Sequence, residues 1–195
     1  MSMKELFIAS NNAHKIYEIG EILKKNGFET KLLCPRDFND HDEPVEDGNT
    51  YAENAYIKAK HYYDKYGYPT LADDSGISID YFGGRPNIHS SRFLGQFSDQ
   101  EKNEKVLEMM KNVKNRKAVF EAVICFIQND DVRYYHGENP GEIALEAKGE
   151  EGFGYDPIFL IPAYGKTEAE LGDVYKNENS HRARALKKWV NDLEK

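Results

Sequence analysis

Cysteine, tryptophan and long apolar runs are all scarce in this chain of 195 residues. Its two cysteines, Cys34 and Cys125, lie in different segments without metal-type spacing. They read as two reduced thiols in a reducing compartment, not as a zinc site or a disulfide framework. No window approaches the roughly 18 apolar residues of a membrane span. The opening MSMKELFIAS has one Lys and no secretory-type apolar stretch, so a cytoplasmic protein with no membrane partner is expected. Positive charge is also short, with 26 Lys and Arg against 34 Asp and Glu and a formal net charge of −8. That balance weighs against a nucleic-acid partner, which is held by basic patches. It leaves room for one small phosphorylated substrate, which a few local cations and a divalent metal can hold. The chain also lacks a G-x-x-x-x-G-K-[ST] phosphate loop, internal repeats and Ser/Gly-rich linkers. With 39% hydrophobic and 31% charged residues it is an ordinary globular sequence. Residues 1–195 are long enough to bury a core as a single domain, or as two intimately joined lobes.

What is present is a regular alternation of elements. Lys4–Ala9 reads as a short buried strand, followed by a helix with Ile16, Ile19, Ile22 and Leu23 on one face and Gly27 at its end. Thr30–Leu33 reads as a second strand, and an acidic loop runs from Pro35 to Gly48. Thr50 caps a helix over Tyr51–Tyr66, with Glu53 placed to complete a capping box. Thr70–Ala72 is a strand ending in Asp73-Asp74-Ser75-Gly76, Ile77–Tyr81 continues extended, and Gly83–Pro86 turns. Ser98 caps a helix through Met110; Ala118–Gln128 and Val132–His136 pair as a hairpin across Asn129-Asp130-Asp131. Glu142–Leu145 and Pro157–Ile161 are further strands, and Leu186, Trp189, Val190 and Leu193 give a last helix its apolar face. The pattern predicts a mixed α/β protein with a curved central sheet.

Five segments carry chemistry, each with a plainer alternative. Ser10-Asn11-Asn12-Ala13-His14-Lys15 joins a strand to a helix, where free N–H groups and the helix dipole suit a phosphate. Asn12 as a simple cap and Lys15 as a solvated cation fit it equally. Asp73 and Asp74 end a strand and must face opposite sides; one can enter a cleft to hold Mg²⁺ or take a proton from water. D-D-S-G is also common turn composition. Glu46 precedes the helix that carries Asn54 and Lys58 on one face, and can reach back to a metal on Asp74. For Glu46 dipole compensation, and for Lys58 a solvated face, are the plainer readings. Phe153-Gly154-Tyr155-Asp156 places two aromatics about a glycine, able to flank a flat ring, or to pack as a turn on the core. Ser180-His181-Arg182 opens the last helix; the Arg can read carbonyl oxygens of a purine edge, or continue a basic helix face. A phosphate loop, a carboxylate pair, an aromatic sandwich and an edge-reading Arg together make a purine nucleotide site.

The segments SNNAHK, NTYAENAYIKA, LADDSG, GGRPNIHSSRF, GFGYDPIF, GKT-AEL and K-x-x-x-SHR-x-x-AL occur in that order. In order and spacing the chain resembles the inosine triphosphate pyrophosphatase family, over essentially its whole length. The resemblance implies two lobes around a long curved sheet with the active-site cleft between them, usually in a homodimer. It implies Mg²⁺-dependent cleavage of ITP, dITP or XTP to the monophosphate and pyrophosphate, clearing deaminated purines from the nucleotide pool. Ser10, Asn11, Asn12, Ala13, His14 and Lys15 match the phosphate loop. Asp74 matches the general base and metal contact, Glu46 a second metal acid, and Ser75 a substrate contact. Phe153, Gly154, Tyr155 and Asp156 match the base pocket, and Lys176, His181 and Arg182 the C-terminal substrate contacts. Asn54 and Lys58 lie in the matching helix. Asn11 stands where the family often has Gly, and Asn tolerates the positive φ such a loop needs.

The implied reaction is in-line attack of water on the α-phosphorus, with Asp74 orienting or deprotonating the water, and Asp73 as a second candidate. Lys15 and Lys176 would add fixed positive charge. Two rivals remain: a pyrophosphatase of the same architecture for pyrimidine or other modified bases, and a non-catalytic nucleotide sensor. Retention of Asp74, Glu46 and Lys15 together argues against the sensor.

Overall fold

The computed structural model describes residues 3–193. In chain order the elements are β1 (Glu5–Ile8), α1 (Ala13–Lys25), β2 (Lys31–Leu33), α2 (Tyr51–Tyr66), β3 (Thr70–Ile79), β4 (Arg85–Pro86) and α3 (Asp99–Met109). There follow β5 (Lys117–Gln128), β6 (Asp131–Ile143), β7 (Phe159–Ile161), β8 (Lys166–Thr167), α4 (Glu168–Asn179) and α5 (His181–Leu193). The strands pair in the order β2-β1-β3-β5-β6-β7-β8, with β4 on β3. The sheet is mixed: β1 is parallel to β2 and β3, whereas β3–β4, β6–β7 and β7–β8 are antiparallel. The expected mixed α/β class is therefore the one found. Among the described residues no helix is long and apolar enough to cross a membrane.

The chain forms two compact units. The first comprises Met1–Asp74, Ala122–Gly137 and His181–Lys195, the second Ser75–Glu121 and Glu138–Ser180. In the first unit β1 is buried on both sides, which is why its sequence is an unbroken apolar run. Leu6 and Ile8 pack with Ile19 and Ile22 of α1 and Leu186 and Trp189 of α5. Phe7 and Ala9 face the other way, onto Ala55, Ala59 and Tyr62 of α2. This alternation places α1 and α5 on one face of the strands and α2 on the other. Both early helices begin where their caps predict. The Asn12 side chain accepts from the His14 and Lys15 amides, and Thr50 Oγ1 accepts from the Glu53 amide at 3.1 Å. The expected capping box at Thr50 is displaced, because the Glu53 carboxylate takes the amide of Asn49.

The second unit has its own core, in which Ile77, Ile79, Phe120, Ile143 and Phe159 from strands pack with Val106 of α3 and Tyr155. Ser98 caps α3 and closes a capping box with Glu101. Three expectations are revised. Thr70–Ile79 is one strand passing straight through Asp73 and Asp74. The stretches expected as Val132–His136 and Glu142–Leu145 join into β6, which ends at Ile143. Gly137, Pro140 and Gly141 had masked that continuity, since such residues ordinarily punctuate strands. Helix α4 was not expected at all; Gly172, at φ 68° and ψ −168°, kinks it and interrupts any apolar period.

Candidate active site

The residues singled out in the sequence fall into two groups, one in each unit. In the first unit, residues 10–12 leave β1 and α1 opens with Ala13 and His14 exposed. Ser10 Oγ accepts from the Asn12 amide at 3.1 Å, and the Asn11 carbonyl accepts from the Arg36 guanidinium. Asn11 is not among the residues with positive φ. The loop is built in another way than by the left-handed backbone expected there, and Arg36 secures its carbonyl instead.

Behind this loop β3 delivers its two carboxylates to opposite faces, as alternation requires. Asp73 turns toward α1 and α5. Its Oδ1 accepts from Lys15 Nζ at 3.0 Å and its Oδ2 from Arg182 Nε at 2.6 Å. Arg182 Nη1 is bonded in turn to Glu18 of α1. All of Asp73, Arg182 and Glu18 are buried. Burial alone would raise the Asp73 carboxyl, but Arg182 and Lys15 outweigh it and hold it well below its ordinary value. Burial lowers Lys15, with only part of that returned by Asp73. Two of the Arg182 nitrogens are thus on carboxylates of its own unit, a setting unlike the purine edge expected for it. His181, beside it, is buried at the start of α5.

Asp74 points to the other face, toward α2. Its Oδ1 accepts from Lys58 Nζ at 2.9 Å, and the same ammonium reaches Glu46 at 3.2 Å. Asp74 Oδ2 is buried and has no hydrogen-bond partner among the described residues. Burial pushes the Asp74 carboxyl up, Glu46 adds to the rise, and Lys58 opposes it. Lys58 is lowered by burial but raised on balance by Asp74 and Glu46. Asn54, also buried, accepts from the Gly48 amide at 2.9 Å, which ties the segment just after Glu46 to α2. Lys58 therefore sits between two carboxylates in the position a cation takes, and an unmatched carboxylate oxygen lies beside it. Hard oxygen donors with an unfilled buried lone pair suit Mg²⁺, so Asp74 and Glu46 fit that ion.

The second unit holds Ser75, which is half-buried on β3, and the segment 152–156 with Lys176. Asp156 is buried and organises this group: its Oδ2 accepts from the Phe153 amide at 2.8 Å and from Lys176 Nζ at 2.7 Å. Gly152, at φ +81°, is needed there because a Cβ would lie 2.1 Å from that same oxygen. Lys176 Nζ also lies 4.9 Å from the centre of the half-buried Phe153 ring. Tyr155 does not mirror Phe153. It is buried in the core, its hydroxyl donates to the Ser90 carbonyl at 2.9 Å, and burial raises its pKa. Its setting is the core-packed turn that was the alternative for this segment.

Glu18, Arg36, Asp99 and Asn103 were missed in the sequence. Glu18 alone carried a signal: an acid on the α1 face that also holds Ile19 and Ile22, where an unpaired carboxylate is not stable.

In this mixed α/β protein two adjacent carboxylates lie on one strand, and each is met by its own cations. The chain belongs to the Ham1 family, whose model matches residues 6–192. It is 42% identical to the dITP/XTP pyrophosphatase of Clostridium perfringens, with 98% of each chain covered. To the dITP/XTP pyrophosphatase of Aquifex aeolicus it is 40% identical, covering 97% of this chain and 96% of that one. Among solved structures, the HAM1 protein of Coxiella burnetii superposes with a TM-score of 0.87 at 39% identity, covering 98% of this chain and 99% of that one. The Ham1 protein of Staphylococcus aureus gives 0.85 at 35% identity, with 98% of each chain covered.

Proposed function

We propose that this chain hydrolyses non-standard purine nucleoside triphosphates of the dITP, XTP and ITP type to the monophosphate and pyrophosphate. The observation that carries the mechanism is Asp74, a buried carboxylate with one oxygen on Lys58 and one oxygen unmatched. Asp74 and Glu46 are assigned to Mg²⁺, which when bound would offset negative charge on the phosphate oxygens. Asp74, with one oxygen on Lys58 and the other unmatched among the described residues, orients and deprotonates the attacking water. Lys58 and Lys15 keep positive charge beside the phosphate loop, and the positive dipole end of α1, with Ala13 and His14 exposed beside Ser10–Asn12, receives the phosphate chain. The group around Phe153 and Asp156 receives the base: Phe153 stacks on it, and Asp156 and Lys176 set the polarity at the ring. A homodimer and a cytoplasmic location complete the reading.

Pyrophosphate release from dITP, XTP, ITP, GTP and ATP, measured with Mg²⁺ and with excess EDTA, tests it. The expected result is kcat/KM at least a hundredfold higher for the deaminated purines than for ATP, since mismatched buried donors discriminate strongly. EDTA should abolish all activity. Equal rates for all five, or inorganic phosphate as the first product, would overturn the proposal. Sedimentation of the purified chain checks the dimer.

A further inference from the structure

The loop proposed to receive the base is held by a helix to which no role has been given. Gly154 sits between Phe153 and Tyr155 at φ +62°, and beyond those two neighbours no atom of the described residues lies within 4 Å of where its Cβ would be. No steric wall therefore fixes this peptide, and glycine is the residue with most freedom to lose. What does hold it comes from α3. The Gly154 amide donates to Asp99 Oδ2 at 2.9 Å, and Asn103 Nδ2 donates to the Gly154 carbonyl at 2.9 Å. Asp99 and Asn103 are four apart and so share one helix face, and together they bond both polar groups of a single residue. Asn103 is buried, and its Oδ1 has no hydrogen-bond partner among the described residues. An amide that leaves one buried end unmatched is a poor choice for stability alone; here its other end is aimed at the loop.

The helix is itself anchored to the segment GGRPNIHSSRF. Lys102 Nζ donates to the Ser91 carbonyl at 2.7 Å, and the neighbouring Ser90 carbonyl receives the Tyr155 hydroxyl. Ser90 Oγ in turn accepts from the Ile77 amide of β3 at 2.8 Å. The 87–91 turn and α3 thus form one frame around residues 153–155. We infer that Asp99 and Asn103 are positioning residues for base recognition, setting the Gly154 peptide and with it the angle at which Phe153 meets the base. This rests on the reading of residues 152–156 as the base-binding loop.

Steady-state kinetics of the full-length chain with dITP, alongside inhibition by inorganic tripolyphosphate as a probe without a base, test the inference. A net hydrogen bond is worth about 0.5–1.5 kcal/mol, and 1.4 kcal/mol is about tenfold. Asp99→Ala and Asn103→Leu should each raise KM for dITP by about three- to tenfold. In both variants kcat should stay within about twofold, and tripolyphosphate inhibition should be unchanged. Asp99→Asn keeps an acceptor oxygen and should restore KM to within about twofold of the parent. Asp99 is exposed at the first turn of α3, so its variants fold even where Asn103→Leu does not. An unaltered KM, a parallel weakening of tripolyphosphate, or an Asp99→Asn variant no better than Asp99→Ala would overturn the inference. A parent chain that does not hydrolyse dITP or XTP would strike down the base-loop reading beneath it, a different and separately visible failure.

Discussion

Replacing Arg182 with alanine separates two accounts of that residue. In sequence it reads as a donor to the purine edge. In the structure it is 2% exposed, with Nε on Asp73 and Nη1 on Glu18, both of them buried. Deleting the guanidinium leaves Glu18 without this cation and leaves Asp73 with Lys15 alone. Breaking a buried pair by removing one partner costs about 3–5 kcal/mol, because a charge stays behind uncompensated. For a chain of this length each kcal/mol is worth roughly 2–4 °C in Tm. The variant should therefore melt about 6–20 °C lower, with loss of dITP and ATP turnover in step with the folded fraction. The double variant Arg182→Met, Glu18→Gln removes one stranded charge and should recover part of that loss. Calorimetry and dITP-versus-ATP kinetics on one preparation decide the matter. A Tm within 2 °C of the parent, with the dITP-to-ATP ratio of kcat/KM reduced tenfold or more, would refute the structural account and restore the edge-reading role.

Two further outcomes are expected. Phe153→Ala removes a half-buried ring proposed to stack on the base, so KM for dITP should rise by about ten- to a hundredfold, from the ~1–3 kcal/mol that stacking contributes. Its Tm should hardly move; a large Tm loss with normal KM for the folded protein would make the ring a core residue. Asp40 accepts from Lys65 and Tyr66, which lower its pKa. Its contribution to stability should be fully present above the unfolded carboxylate value of about 3.9 and lost as pH falls toward the depressed folded value. Urea unfolding of the parent and Asp40→Asn should differ by a constant amount above about pH 5 and converge below about pH 4; a gap that widens in acid would contradict the assignment.

How much could be read beforehand depended on how local the governing interaction is. Helices α1 and α2 were legible because their caps, Asn12 and Thr50, act within three residues. The continuity of β3 was not, since Asp73-Asp74-Ser75-Gly76 has turn composition. What allows a strand there is a set of cations from elsewhere, with Arg182 109 residues away from Asp73. The same distance hid the Glu18–Arg182 pair, 164 residues apart. Helix α4 had a legible start in Thr167 and Glu170, which form a capping box, but the kink at Gly172 removed the periodicity that would have extended it. Phe153 and Tyr155 look equivalent as a pair about a glycine. Only the packing of Tyr155 with Ile158 and Phe159, and its bond to Ser90, tells them apart.

Adjacent carboxylates on one strand offer the sharpest test, because their surroundings drive them in opposite directions. Asp73 is held ionised by Arg182 and Lys15, so its charge is one the fold uses. Asp74 is raised by burial beyond what Lys58 returns, so its charge is one the fold tolerates. Pairs of acids whose environments separate their pKa values are a recurrent way of dividing structural from chemical duty. Asp73→Asn should leave the half-buried Lys15 without its carboxylate and the buried Arg182 with Glu18 alone, and cost about 3–5 kcal/mol, with activity falling as the protein unfolds. Asp74→Asn should do the reverse. An amide spares the desolvation that the carboxylate suffers, and Lys58 keeps Glu46 as a partner, so Tm in metal-free buffer should be unchanged or higher. Its kcat should nonetheless fall by two or more orders of magnitude, the scale of losing a general base. If Asp74→Asn destabilised the chain as much as Asp73→Asn, or kept more than about a tenth of the parent rate, the division of labour along this strand would be wrong.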